Sequence, residues 1–135
     1  MKDITRLMIL MYRLDLLGID FMGYEKDGNG ELSYHHLIIP KRKGGMETIQ
    51  NGAIIRRIPH DYLHIIERYD PEIFRYLTSE MIDMNVKGYL DMDNIENIND
   101  LLCNFEYDHA RTRSKKGKPV VREQYLHRKL KRWQK

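Results

Sequence analysis

The stretch from Tyr24 to Tyr69 constrains this chain's fold most tightly, because strand formers give way there to helical spacing across clear turn signals. "YEKDGNGELSYHHLII" reads as a hairpin, with Gly28-Asn29-Gly30 at the turn and strand formers after it. A polar, glycine-containing loop runs from Pro40 to about Thr48. "TIQNGAIIRRI" then reads as a second strand with Asn51-Gly52 at its start. Pro59 suits the first position of a helix that continues through "HDYLHIIERY". Two short strands followed by a helix predict an α+β fold.

Helices are expected on both sides of this centre. Ile4, Leu7, Met8, Met11, Leu14 and Leu17 recur at helical spacing, and Gly18 is the expected C-cap. Pro71 opens another helix, with Ile73, Phe74, Leu77 and Met81 on one face. "VKGYLDMDN" is a turn, and Ile95, Ile98, Leu102 and Phe105 line a third helical face up to about residue 106. A length of 135 residues suits a single domain.

Charge divides the chain unevenly. Residues 109–135 hold 11 Lys or Arg and one acid, Glu123, a balance of +10, whereas residues 1–108 stand at −7. "ARTRSKKGKP" has linker composition, and "VVREQYLHRKLKRWQK" reads as a short basic helix carrying Trp133. The expected organisation is a folded domain over residues 1–108 and a basic tail over 109–135. A basic tail on an acidic body points to a polyanionic partner, most simply nucleic acid, or else to a solvated tail that only aids solubility.

Several classes are excluded or disfavoured. A single cysteine, Cys103, forbids an internal disulfide framework and any zinc site needing two or more thiolates. The apolar run from Leu7 to Tyr12 is short for a signal peptide and far too short to span a membrane. No membrane association and a cytoplasmic location are therefore expected.

Six histidines carry the chemistry. Neighbouring strand residues point to opposite faces, so His35 and His36 can share a task only if the strand ends or bends there. His60 and His64 are four apart and fall on one helix face, within reach of one cation. A histidine at the end of the first strand can join the helical pair to close three imidazoles around a metal. Three protein ligands with open positions is the arrangement of catalytic metal sites. The fourth histidine is then free to act as a base toward water, while the metal neutralises developing charge on a phosphate.

"ELSYHHLIIPKRKGG", then "TIQNGAII", then "HDYLH" resembles the HNH endonuclease family, the ββα-metal nucleases. The nearest pattern is the variant with a His-His pair and a terminal His-x-x-x-His, as in colicin DNases and small phage or bacterial HNH proteins. The resemblance covers residues 30–68. It implies a ββα-metal core packed among additional helices, with His35, His60 and His64 as metal ligands and His36 as general base. Asn51 would be the family's middle asparagine, holding the loop and orienting the base. The implied cofactor is one divalent cation (Mg, Mn, Zn or Ni), and the implied activity is nicking or double-strand cleavage of DNA, with RNA not excluded. Two departures stand out: Cys-x-x-Cys zinc pairs are absent, and Gly52 follows Asn51 where many members have leucine.

Lys41, Arg42 and Lys43 in the loop, with Arg56 and Arg57 on the second strand, are the expected phosphate-gripping group. The competing expectation is a nucleic-acid-binding or regulatory module that keeps the fold without catalysis. "EKDGNGELSYHH" and "DMNVKGYLDMDN" imitate calcium loops, but position 12 is His36 or Asn94 rather than a bidentate acid. Turn chemistry and an N-cap at Asp91 or Asp93 explain them better.

Overall fold

A computed structural model describes residues 1–116, with side chains through residue 106. Of the expected basic tail over 109–135, residues 117–135, with His127 and Trp133, lie outside the described residues, as does the side chain of His109. The architecture is α+β. Helices α1 (Asp3–Met11) and α2 (Leu14–Leu17) precede strands β1 (Leu32–His36) and β2 (Gly52–Arg56), followed by α3 (Arg57–Tyr69), α4 (Pro71–Lys87) and α5 (Met92–Lys116). No described helix is long and apolar enough to cross a membrane.

The two strands form one antiparallel pair in which Ser33 faces Ile55, His35 faces Ala53 and His36 faces Gly52. This corrects the expected hairpin. Gly28-Asn29-Gly30 does not join two paired strands but turns the chain into β1, with the Asn29 amide donating to the Glu25 carbonyl at 2.7 Å. The connection inside the hairpin is the long loop of residues 37–51. Gly45 closes it: a Cβ there would lie 1.9 Å from the Ile39 carbonyl oxygen, so only glycine lets the two loop limbs meet.

The first helix also departs from the expected one. Arg13 takes a left-handed backbone conformation (φ 57°), which ends α1 and restarts the chain as α2. The buried face runs through Thr5, Met8, Ile9, Tyr12 and Leu14, leaving Leu7, Met11 and Leu17 exposed. Gly18 is the C-cap, as its position predicted.

Helix α3 begins two residues before Pro59, because its first N–H groups have partners outside the helix. Arg57 N–H donates to Glu31 O and Ile58 N–H to Asn29 O, both at 2.9 Å, and Pro59 has no N–H to satisfy. Pro71 opens α4 with the Asp70 carboxylate capping Ile73 N–H at 3.1 Å. Asp91 caps α5 through Asp93 N–H at 2.8 Å. Lys87 sits between Asp83 and Asp91, at 3.0 and 2.8 Å, placing an ammonium group inside the second imitation calcium loop. Helix α5 continues to Lys116, past the end expected near residue 106.

Met8, Phe21, Ile54, Tyr62, Leu63, Met81 and Phe105 are fully buried and join the hairpin to the helices in one core. Buried Asp20 ties the segment before β1 to the end of β2. Its carboxylate accepts from Met22 and Tyr24 N–H at 2.9 Å and from Arg56 N–H at 2.8 Å. Desolvation raises its pKa despite these donors.

Candidate metal centre

Strand β1 delivers His35 from the sheet, and α3 delivers His60 and His64 one turn apart. One ring nitrogen from each lies within 4.8 Å of the other two. His35 Nδ1 and His60 Nε2 are 3.1 Å apart, with the rings edge to face. His60 and His64 stack at 5.0 Å between ring centroids. Two imidazole nitrogens bound to one tetrahedral zinc at about 2.0 Å lie about 3.3 Å apart, so the His35–His60 spacing already matches shared coordination. His64 is the exposed member of the three.

Each helical imidazole has a partner at its Nδ1. His60 Nδ1 is 3.1 Å from Ser33 Oγ, and His64 Nδ1 is 3.5 Å from the Glu67 carboxylate. Outer partners of this kind orient metal-bound histidines. Neither residue was among the expected site residues, although both spacings were readable. Ser33 is two residues before His35 on one strand face, and Glu67 is three after His64 on one helix face. His35 Nε2 is enclosed and has no hydrogen-bond partner among the described residues.

Burial is the largest cause holding His35 neutral, lowering its pKa to about 3, with further lowering from His60, His64 and His36. The His60 pKa is lowered first by burial and then by His64, against an opposing pull from Asp61. Neutral imidazole is the form that binds metals, and burial favours that form at both His35 and His60. The three histidines lie close enough together to bind a metal ion.

His36 is the last residue of β1 and lines the same cleft of about 440 Å³ as the three clustered histidines. His35 and His36 border this cleft from the last two positions of β1, and the pairing runs one step further, with Leu37 N–H donating to Asn51 O at 2.8 Å. The His36 ring packs edge-on against Tyr34 at 4.9 Å, and its Nε2 is enclosed without a partner among the described residues.

Asn51 organises the loop that borders the cleft. Its Oδ1 accepts from Ile38 and Ile39 N–H at 2.9 Å, and its Nδ2 donates to Ile39 and Met46 carbonyls at 3.0 Å. With both donors and both acceptor positions engaged, the side chain works on the loop backbone. Gly52 is explained by Tyr34, whose ring would lie 2.2 Å from a Cβ at that position. The Tyr34 hydroxyl donates to Thr48 O at 2.6 Å, and Asn85 from α4 donates to the Ile49 and Gly52 carbonyls.

The expected phosphate-gripping group divides. Lys41 and Arg42, in a 3₁₀ turn, line the cleft, while Lys43 is exposed in the same turn but does not line it. Arg57 is exposed at the start of α3. Arg56 is a correction: it is only 6% exposed, and its guanidinium donates to the Gly30 carbonyl at 3.3 Å. It lines a separate cleft of about 500 Å³ with Ile9, Leu10 and Leu32, which among the described residues has no cluster of metal-ligating groups. No protein-family model, curated protein or solved structure matches the chain.

Proposed function

We propose that this chain is an HNH-type, metal-dependent endonuclease that hydrolyses phosphodiester bonds in DNA. The observation that carries this reading is the convergence in one cleft of the His35, His60 and His64 cluster with His36, beside Lys41 and Arg42. A divalent cation bound there would stabilise charge on the scissile phosphate and leaving oxygen. His36 accepts a proton from the attacking water, and Lys41 and Arg42 hold the flanking phosphates. Asn51 positions the loop that carries both cations. Three imidazoles without a carboxylate among them favour Zn, Ni or Mn over Mg, which prefers oxygen ligands.

A plasmid-nicking assay with Mg, Mn, Ni or Zn tests the proposal, comparing wild type with His36→Ala and a chelator control. Metal-dependent relaxation of supercoiled plasmid that His36→Ala abolishes is the expected result. Folded protein that binds DNA but cuts it with none of these metals would replace the enzyme with a binding module.

A further inference from the structure

The Ser33 hydroxyl sits between the Ile55 carbonyl and His60 Nδ1. A serine hydroxyl has one proton to donate. Here it goes to the carbonyl of Ile55, the residue facing Ser33 across the strand pair, at 2.9 Å. Toward His60 Nδ1, 3.1 Å away, Oγ can then act only as an acceptor. Nδ1 must therefore be the donor, and a neutral imidazole protonated at Nδ1 has a bare lone pair on Nε2. That same Nε2 lies 3.1 Å from His35 Nδ1, inside the cluster. A neutral imidazole free in water prefers the opposite tautomer, with hydrogen on Nε2, which cannot ligate through that atom.

We propose that Ser33 is a positioning residue that locks His60 in its Nδ1–H tautomer and so pre-sets Nε2 as a donor to a transition-metal ion. The inference rests on reading the cluster as a metal centre. The lock is anchored in the backbone, because the hydroxyl is held by β2 while Ser33 and His35 share one face of β1. Strand pairing thereby transmits its register to a ligand on α3. Glu67 acts on His64 in a looser way, at 3.5 Å and with both side chains about half exposed.

Two measurements on the metal-free and Co²⁺-titrated protein test this. Two-bond ¹H–¹⁵N correlation spectra of histidine-labelled protein read which ring nitrogen of His60 carries hydrogen. Visible absorption during Co²⁺ titration reads affinity without any activity assay. Wild type is expected to show Nδ1–H at His60. Ser33→Ala is expected to shift it toward Nε2–H and weaken Co²⁺ binding by roughly 10–100-fold, with the metal-free melting temperature little changed. Ser33→Thr keeps the hydroxyl on a residue suited to strands and restores both readouts. His60 found as Nε2–H in wild type, or Co²⁺ bound equally by wild type and Ser33→Ala, overturns the proposal. Should Ser33→Ala fail to fold, the wild-type spectrum and Ser33→Thr still decide it. Wild type that binds no Co²⁺ removes the metal centre itself, an outcome distinct from a Ser33→Ala variant that binds normally.

Discussion

His35 Nδ1 and His60 Nε2 face each other at 3.1 Å, one from a strand and the other from the helix after the hairpin. Their meeting depends on long-range pairing of β1 with β2, since nothing local in sequence joins them. Replacing either with alanine leaves a pair of imidazoles. Metal affinity, measured by calorimetry with Zn²⁺ or Ni²⁺, is expected to fall by more than the roughly 10–100-fold typical of losing an outer partner. Affinity unchanged in both variants would mean that the cluster is not the binding site.

The buried imidazoles also make stability depend on pH in a defined direction. The His35 pKa is about 3 in the folded chain against an ordinary 6.5, so between these values the unfolded chain binds the extra proton. Stability from keeping His35 neutral is complete above about pH 6.5 and is lost as pH falls toward 3. Urea unfolding of the metal-free protein is expected to show a decline on the order of a few kcal/mol across that window. His35→Phe, which cannot titrate, is expected to flatten it. An equally steep decline in that variant would assign the effect to other groups.

Asn51 gives a loop prediction. Asn51→Ala leaves the Ile38 and Ile39 N–H groups and the Ile39 and Met46 carbonyls without their side-chain partner. The expected loss is about 2–4 kcal/mol in denaturant unfolding, with reduced plasmid nicking. Asn51→Asp keeps the acceptors but turns a carboxylate oxygen toward two carbonyls, so it should not rescue the loop. Rescue by aspartate would show that the amide donors contribute nothing.

Much of this organisation is legible in the residues, and the errors have physical causes. Pro71 and Gly18 marked helix ends correctly because their signals are local. The Gly28-Asn29-Gly30 turn is equally local, yet β1 pairs across a loop of residues 37–51, a long-range choice that turn chemistry does not reveal. At the N-terminus, helical spacing could not foresee the left-handed Arg13, which breaks the helix and leaves Leu7 and Met11 exposed. Arg56 looked like a surface cation, but its place at the end of β2 puts its backbone on buried Asp20 and its side chain against Gly30. The histidine cluster was readable because period two along the strand and period 3.6 along the helix each fix a direction. Ser33 was readable by the same rule, but its importance depends on the Ile55 carbonyl opposite.

Gly52 tests the packing beneath His36. A methyl group at this position would lie 2.2 Å from the Tyr34 ring, which also packs against His36. Gly52→Ala is expected to destabilise the fold by about 1–3 kcal/mol through overpacking. Tyr34→Leu in the same chain should relieve part of that loss, giving a coupling of roughly 0.5–3 kcal/mol in a double-mutant cycle. Additive effects would mean that the ring moves aside without strain.

Lys41 and Arg42 line the cleft with the histidines, whereas Arg56 is buried elsewhere, and this separates their expected effects on DNA binding. Each cation that neutralises a phosphate on duplex DNA contributes about 0.9 to the slope of log affinity against log salt. Lys41→Ala and Arg42→Ala together should weaken binding and flatten that slope by about 2, while leaving metal affinity intact. Arg56→Ala should instead lower stability through the lost Gly30 contact and leave the slope unchanged. Fluorescence anisotropy at several salt concentrations, paired with thermal melting, distinguishes the two. A slope that responds to Arg56 but not to Lys41 and Arg42 would move the DNA-binding face away from the histidine cleft.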